Sequence, residues 1–372
     1  MLFSERDADV LRLVYWCQYI RPTDLSGITT EEELSDLIDK GLLKLHGRSK
    51  ALVITGKGIW LLNHMLDSRL PDISQSYHTA DIERRLRLSP LALTAYRAGV
   101  DIFTCSVHEL EKDGKLFLTA HGRGRGQNPW GSTRVAAIAH LGDLVCGFHF
   151  IFPGIGKLTL TDELMAFNNN TAHIRDVRRS IIFVGESYRA IVDELARQEL
   201  PERTTKLVPY KEAYRSLKMP IHLLSCDAVG SRQLKIMSVP HYRIKLTKAA
   251  LMAHYRPPPD TGTEWDAMFD GSPLTLAVDM DLRRIDAGLA KARQGGFPRF
   301  CLLALQEQAG AFLYGRYGED PFVSIFCLNT ATLEQFENAP LELYAPPRTQ
   351  YTTAKGGVVD TPLIQTYRKA GR

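Results

Sequence analysis

The 372-residue chain lacks most of the features that would quickly assign it to a chemistry. Its six cysteines (Cys17, Cys105, Cys146, Cys226, Cys301, Cys327) are scattered, with no Cys-x-x-Cys pair and no histidine at ligand spacing. A tetrahedral zinc site is closed by tightly spaced pairs, so no zinc ribbon or finger is expected, and the thiols read as reduced strand or core residues. No stretch approaches the ~18 uninterrupted apolar residues of a membrane span, so no membrane partner is expected. The opening Met1-Leu2-Phe3-Ser4-Glu5-Arg6-Asp7 has neither a basic n-region nor an apolar h-region, which makes the cytoplasm the expected location. No short repeat recurs.

Catalytic signatures are also missing. His121-Gly122-Arg123-Gly124-Arg125-Gly126 is glycine-rich, but it lacks the following Lys-Ser/Thr of a phosphate loop and reads as a basic loop. Gly185-Glu186-Ser187 is not a nucleophile elbow. Phe167-Asn168-Asn169-Asn170-Thr171 reads as a polar turn, and Arg175, Arg178 and Arg179 as a solvated helix end. No catalytic set, cofactor or metal is expected.

What is present is globular material, 44% hydrophobic and 24% charged, enough for two or three domains. The densest signals lie in residues 1–66. Ser4-x-x-Asp7 caps a first helix carrying Ala8, Leu11, Val14 and Tyr15. Arg21-Pro22-Thr23-Asp24 breaks it and starts a short second one. Thr30-x-x-Glu33 is another capping box, followed by Leu34, Leu37 and Ile38 and stopped at Gly41. Leu42–His46 and Ala51–Thr55 read as a hairpin around Gly47-Arg48-Ser49-Lys50, and Thr55-Gly56-Lys57-Gly58 launches a last helix. Helix, helix, helix, hairpin, helix is the order of a winged helix.

Residues 67–88 read as a connector ending in Arg84-Arg85-Leu86-Arg87. Beyond it, Ser89 and Pro90 look like the cap and first position of a helix that stops at Gly99. An α/β region over 89–245 has strands near Lys115–Ala120, Val135–His140, Val145–Phe152, Ser180–Val184 and Ile221–Ser225, with helices after Thr161 and over Tyr188–Arg197. A second spans 246–345, with strands at Leu274–Val278, Arg299–Leu305 and Phe322–Leu328 and a helix over Leu282–Arg293. The expected class is α/β (α+β overall), with mixed sheets covered by helices. Residues 346–372 hold five basic residues against Asp360; this net of +4 equals the excess of the whole chain, and the segment reads as a basic, flexible tail.

Charge divides the winged helix. Residues 1–39 hold nine acidic residues against three arginines, whereas residues 40–58 hold Lys40, Lys44, Arg48, Lys50, Lys57 and His46 with no acid. Glu31, Glu32 and Glu33 suit the first turn of a helix, but that turn is the one a recognition helix would push toward phosphates. Docking on duplex DNA by the wing follows, with Lys44, His46, Arg48, Lys50 and Lys57 as contacts and Arg84, Arg85 and Arg87 extending them. The alternative reading of hairpin lysines is a solubilised sheet edge.

Ser4–Leu13, Leu37–Leu43 and Ile54–Leu62 together resemble the winged helix of plasmid replication-relaxation-type proteins of bacterial conjugative and mobile elements. The resemblance implies a DNA-associated regulatory or accessory role and a degenerate restriction-endonuclease-like core after the winged helix. An active core of that kind needs an acid ahead of a strand bearing Asp/Glu-x-Lys, to hold Mg²⁺ and activate water. The nearest match is Asp260 with Asp279-Met280-Asp281, where Asp281 occupies the lysine position; the same pair equally suits a cap for the helix at Leu282. Three readings stand: a non-catalytic DNA-associated protein, a protein–protein module using the acidic winged-helix face, and a metal-dependent nuclease.

Overall fold

In a computed structural model of the protein, residues 4–65, 73, 78–122, 130, 131, 133–200, 206–259, 264–338, 349–352 and 358–361 are described. The class is mixed α/β.

The first unit forms as its local signals require. Helix α1 (Glu5–Cys17) starts at a reciprocal Ser4/Asp7 capping box and buries Val10, Leu11, Leu13, Val14, Trp16 and Cys17. A 3₁₀ turn (Pro22–Leu25) leads to α2 (Glu31–Asp39), capped by Thr30 and Glu33. Gly41, at φ +69°, closes α2: its N–H donates to the Ile38 carbonyl, and Leu42 N–H to the Leu37 carbonyl. This paired arrangement satisfies the last helical carbonyls and needs the left-handed conformation that glycine adopts without strain. Strands β1 (Leu43–Leu45) and β2 (Leu52–Ile54) pair antiparallel, Ile20 adds a bridge to Leu52, and α3 (Gly56–Met65) follows.

Helix α4 (Thr79–Arg97) begins ten residues before the expected Ser89 start, so 79–88 are helical and not a connector. Pro90 lies inside it. Proline cannot return an N–H to the Leu86 carbonyl, and the Ser89 hydroxyl sits 3.5 Å from that same oxygen in a fully buried position. Next come β3 (Lys115–Leu118), a single turn α5 (Thr119–Gly122), β4 (Ala137–Leu141), β5 (Leu144–Phe150), α6 (Leu160–Thr171), β6 (Arg178–Gly185), α7 (Tyr188–Arg197), α8 (Tyr210–Ser216) and β7 (Ile221–Ser225). They build a sheet in the order β3-β4-β5-β6-β7, antiparallel through β5 and parallel from β5 onward. The segment 175–179, read as a helix end, runs instead into β6.

Helices α9 (Ala228–Met237) and α10 (Tyr242–Leu251) lead to the second sheet, so the expected boundary at 245 falls within a helix. That sheet holds β8 (Ala267–Phe269), β9 (Ser272–Leu276), β10 (Phe300–Ala304) and β11 (Val323–Cys327) in the order β11-β10-β9-β8. Helix α11 (Leu282–Gln294) joins β9 to β10; α12 (Gln306–Gln308), a π-helical turn and α13 (Tyr314–Tyr317) join β10 to β11, and α14 (Thr330–Asn338) follows. Both sheets therefore place an antiparallel hairpin ahead of two parallel crossovers. Part of the expected tail is paired: β12 (Thr349–Thr352) and β13 (Val358–Thr361) form an antiparallel hairpin, as threonine, tyrosine and valine favour.

One apolar cluster runs from Val10 and Trp16 through Leu91, Phe148 and Ile182 to Leu276 and Phe336, so the winged helix and both sheets share a core. Polar bonds reinforce this union. Arg97 donates to the carbonyls of Asp24 (2.6 Å) and Ser26 (2.7 Å), and His121 Nε2 to that of Trp16 (3.0 Å).

Candidate nucleic-acid interface

The wing is a short hairpin whose tip is organised by its own residues. His46 N–H donates to the Ala51 carbonyl (2.7 Å), and Lys50 N–H to the His46 carbonyl (2.8 Å), with Lys50 at φ +55°. His46 Nδ1 lies 2.9 Å from Ser49 Oγ, and its ring meets Tyr19 edge-on at 5.5 Å. His46 is thus half-buried and shapes the turn.

Lys44, Arg48 and Lys50 are exposed and have no ion-pair partner among the described residues. Lys57 is exposed as well, but its Nζ donates to the Lys40 carbonyl at the end of α2 (2.7 Å), a helix-closing role. Lys44 stands opposite Val53, on the face of the hairpin whose base packs against Ile82 and Leu86 of α4. The basic residues of α4, Arg84, Arg85 and Arg87, are interleaved in sequence with these apolar contacts.

Those residues divide by helical phase. Arg84 and Arg87 are exposed but carry acidic partners, Asp81 and Glu83, the second at 4.0 Å. Arg85 belongs to the interior: it is 6% exposed, donates to the Ala120 carbonyl (3.3 Å), and burial lowers its pKa to about 10. It cannot reach a phosphate. The contiguous basic stretch thus presents two arginines, both opposed by acids, whereas the exposed cations of the wing tip are not.

The acids of α2 are distributed just as unevenly. Glu33 is committed to the cap, accepting from Thr30 N–H (2.8 Å), the Thr29 hydroxyl (2.9 Å) and Arg6 (3.2 Å). The Thr30 and Thr29 bonds lower its pKa to about 2. Asp36 pairs with Lys40, whereas Glu31 and Glu32 are exposed without an ion-pair partner among the described residues.

The acids proposed for a nuclease are engaged elsewhere. Asp260 lies outside the described residues. Asp279 is fully buried and accepts from the Tyr242 hydroxyl (2.7 Å) and Arg243 Nε (2.7 Å), with Arg284 Nη2 3.7 Å away. Burial would raise its pKa, but the Arg243 and Arg284 guanidiniums outweigh burial and hold the carboxylate well below its usual range. Two guanidiniums in contact repel a cation, the reverse of what a metal site needs. Asp281 caps α11 by accepting from Arg284 N–H (3.1 Å). Among the described residues no strand carries Asp/Glu-x-Lys, and no three His, Cys, Asp or Glu side chains gather as a metal ion would need.

Two features escaped sequence reasoning. The Asp279–Arg243–Arg284 cluster brings Arg243 to groups 36 and 41 positions further along the chain, and no local pattern signals it. Trp60, 60% exposed on α3, stacks near His64 at 4.0 Å between ring centroids; it was read only as part of an apolar helix. Among known proteins, no family model, no curated protein and no solved structure matches this chain.

Proposed function

We propose that the chain is a non-catalytic DNA-associated accessory or regulatory protein that holds duplex DNA by the β1–β2 wing. The observation that carries this reading is the set of exposed, unpaired cations Lys44, Arg48 and Lys50 on a hairpin segment free of acids. Such a point contacts phosphates and attracts DNA without specifying sequence. The opposing acids at Asp81 and Glu83 make α4 an auxiliary surface only. The resemblance of the winged-helix residues to plasmid replication-relaxation-type proteins suggests a mobile-element setting for the same role.

The exposed, unpaired Glu31 and Glu32 favour a second reading, in which the start of α2 receives a basic protein. Fluorescence anisotropy on a labelled duplex separates the two. Saturable binding that weakens as salt rises is expected; absence of binding at the lowest salt would remove the DNA reading and leave the α2 face as the surface to probe.

A further inference from the structure

Beside α4 lies a cleft of about 310 Å³ bounded by α4, the end of β5 and the start of α8. Its size is that of a small-ligand site. Arg84, Arg87 and Arg134 line it, and among the described residues no acidic side chain does. Arg134 is exposed and has no ion-pair partner among the described residues. The Arg87 guanidinium carbon lies 4.2 Å from the centre of the Phe152 ring. Stacking of this kind fixes the plane of the guanidinium and leaves its in-plane N–H groups for a bidentate acceptor. The Glu83 carboxylate, 4.0 Å from Arg87, is an exposed partner that a phosphate can displace.

Tyr210 supplies a second, independent sign of a ligand. It is 1% exposed, lines both this cleft and a smaller cavity that holds Glu163, and its hydroxyl, near Glu163 and Arg134, has no hydrogen-bond partner among the described residues. A buried hydroxyl is ordinarily paired, and one without a partner on a residue that lines a cleft is a donor or acceptor a ligand can satisfy. The wall beside it is apolar and includes Phe150. Lining arginines, lining aromatic rings and one unpaired polar group match a ligand with a doubly charged anionic end and a flat body with polar edges.

We propose that this cleft binds a nucleoside phosphate, either free or as the terminal or unpaired nucleotide of a strand. The phosphate is held by Arg87 and Arg134, and the base lies on the apolar wall with an edge at the Tyr210 hydroxyl. The proposal is independent of the wing, because none of the hairpin cations lines the cleft.

The test is calorimetric titration of the full chain with deoxynucleoside 5′-monophosphates, the matching nucleosides and inorganic phosphate. One saturable site for a monophosphate is expected, with nucleoside and inorganic phosphate each at least tenfold weaker. Arg87→Gln combined with Arg134→Gln, both at exposed positions, should weaken the nucleotide at least tenfold. Tyr210→Phe should weaken it severalfold without lowering the thermal midpoint, which separates lost recognition from lost folding. Reversing the wing charges (Arg48→Glu with Lys50→Glu) should leave nucleotide affinity unchanged. A 5′-phosphorylated single-stranded dinucleotide that binds more tightly than the mononucleotide assigns the site to a strand; the opposite order assigns it to a free nucleotide. No nucleotide binding at millimolar concentration, equal affinity for inorganic phosphate, or full affinity in the double arginine variant would overturn the proposal.

Discussion

Asp279 holds the buried Arg284 and half-buried Arg243 guanidiniums in place, so its removal should be felt far more than its replacement of one oxygen suggests. Asp279→Asn leaves Arg243 and Arg284 without their shared counter-charge and should cost about 3–5 kcal/mol of stability. Asp281→Ala loses only a helix cap and should cost about 1 kcal/mol; denaturant unfolding of the two variants checks the order. A pH dependence belongs to the same scale. Burial lowers the pKa of His121 to about 3 and that of His149 to about 4, below the ordinary 6.5. The unfolded chain therefore binds protons that the folded chain refuses as pH falls below 6.5, and stability that is complete above 6.5 is lost toward those lower values. Each such histidine should remove on the order of 2 kcal/mol between pH 6.5 and 4.5. His149→Phe, at a position where Nδ1 has no partner, should make the fall in thermal midpoint shallower; a fall parallel to that of the unaltered chain would refute the assignment. The Asp281 cap was legible in the sequence because it is local, but the burial of Asp279, His121 and His149 was not, since it is decided largely by segments dozens of residues away.

The elements of the winged helix were legible because their signals are local: two capping boxes, a closing glycine and a short hairpin each act within about six residues. The start of α4 was misread for a local reason too. Ser-Pro is an ordinary helix opening, and only the burial of Ser89 against the Leu86 carbonyl shows that Pro90 sits inside a longer helix. Had that helix been read from Thr79, the phase of Ile82, Arg85 and Ser89 would have put Arg85 in the core. Packing between elements also reverses a familiar substitution. Glycine to alanine inside a helix usually stabilises by up to about 1 kcal/mol. At Gly58 of α3, however, an added Cβ would meet the Leu42 carbonyl oxygen at 2.4 Å and Ile54 Cγ1 at 2.8 Å. Gly58→Ala should therefore destabilise by about 1–3 kcal/mol. Gly56→Ala, with nothing within 4 Å, should be neutral or slightly stabilising. Equal thermal midpoints for the two variants would mean that α3 does not pack on the hairpin as described.

Across the whole molecule, the winged helix is anchored in a core shared with both sheets, which holds the wing at a fixed place beside α4. The apolar strands of those sheets could be read from sequence as runs; their common core, the cleft beside α4 and the mutual cancellation of charges on that helix could not, since each arises only when distant segments meet. Duplex DNA should thus experience the wing as a cluster of uncompensated positive charge set beside α4. The most direct test is the slope of binding against salt for the unaltered chain and for Arg48→Glu with Lys50→Glu. Each phosphate contact contributes roughly −0.9 to the log–log slope. Loss of two contacts should flatten the slope by about 2 and weaken binding similarly across unrelated sequences, with the thermal midpoint retained. An unchanged affinity and slope in the charge-reversed chain would contradict docking by the wing.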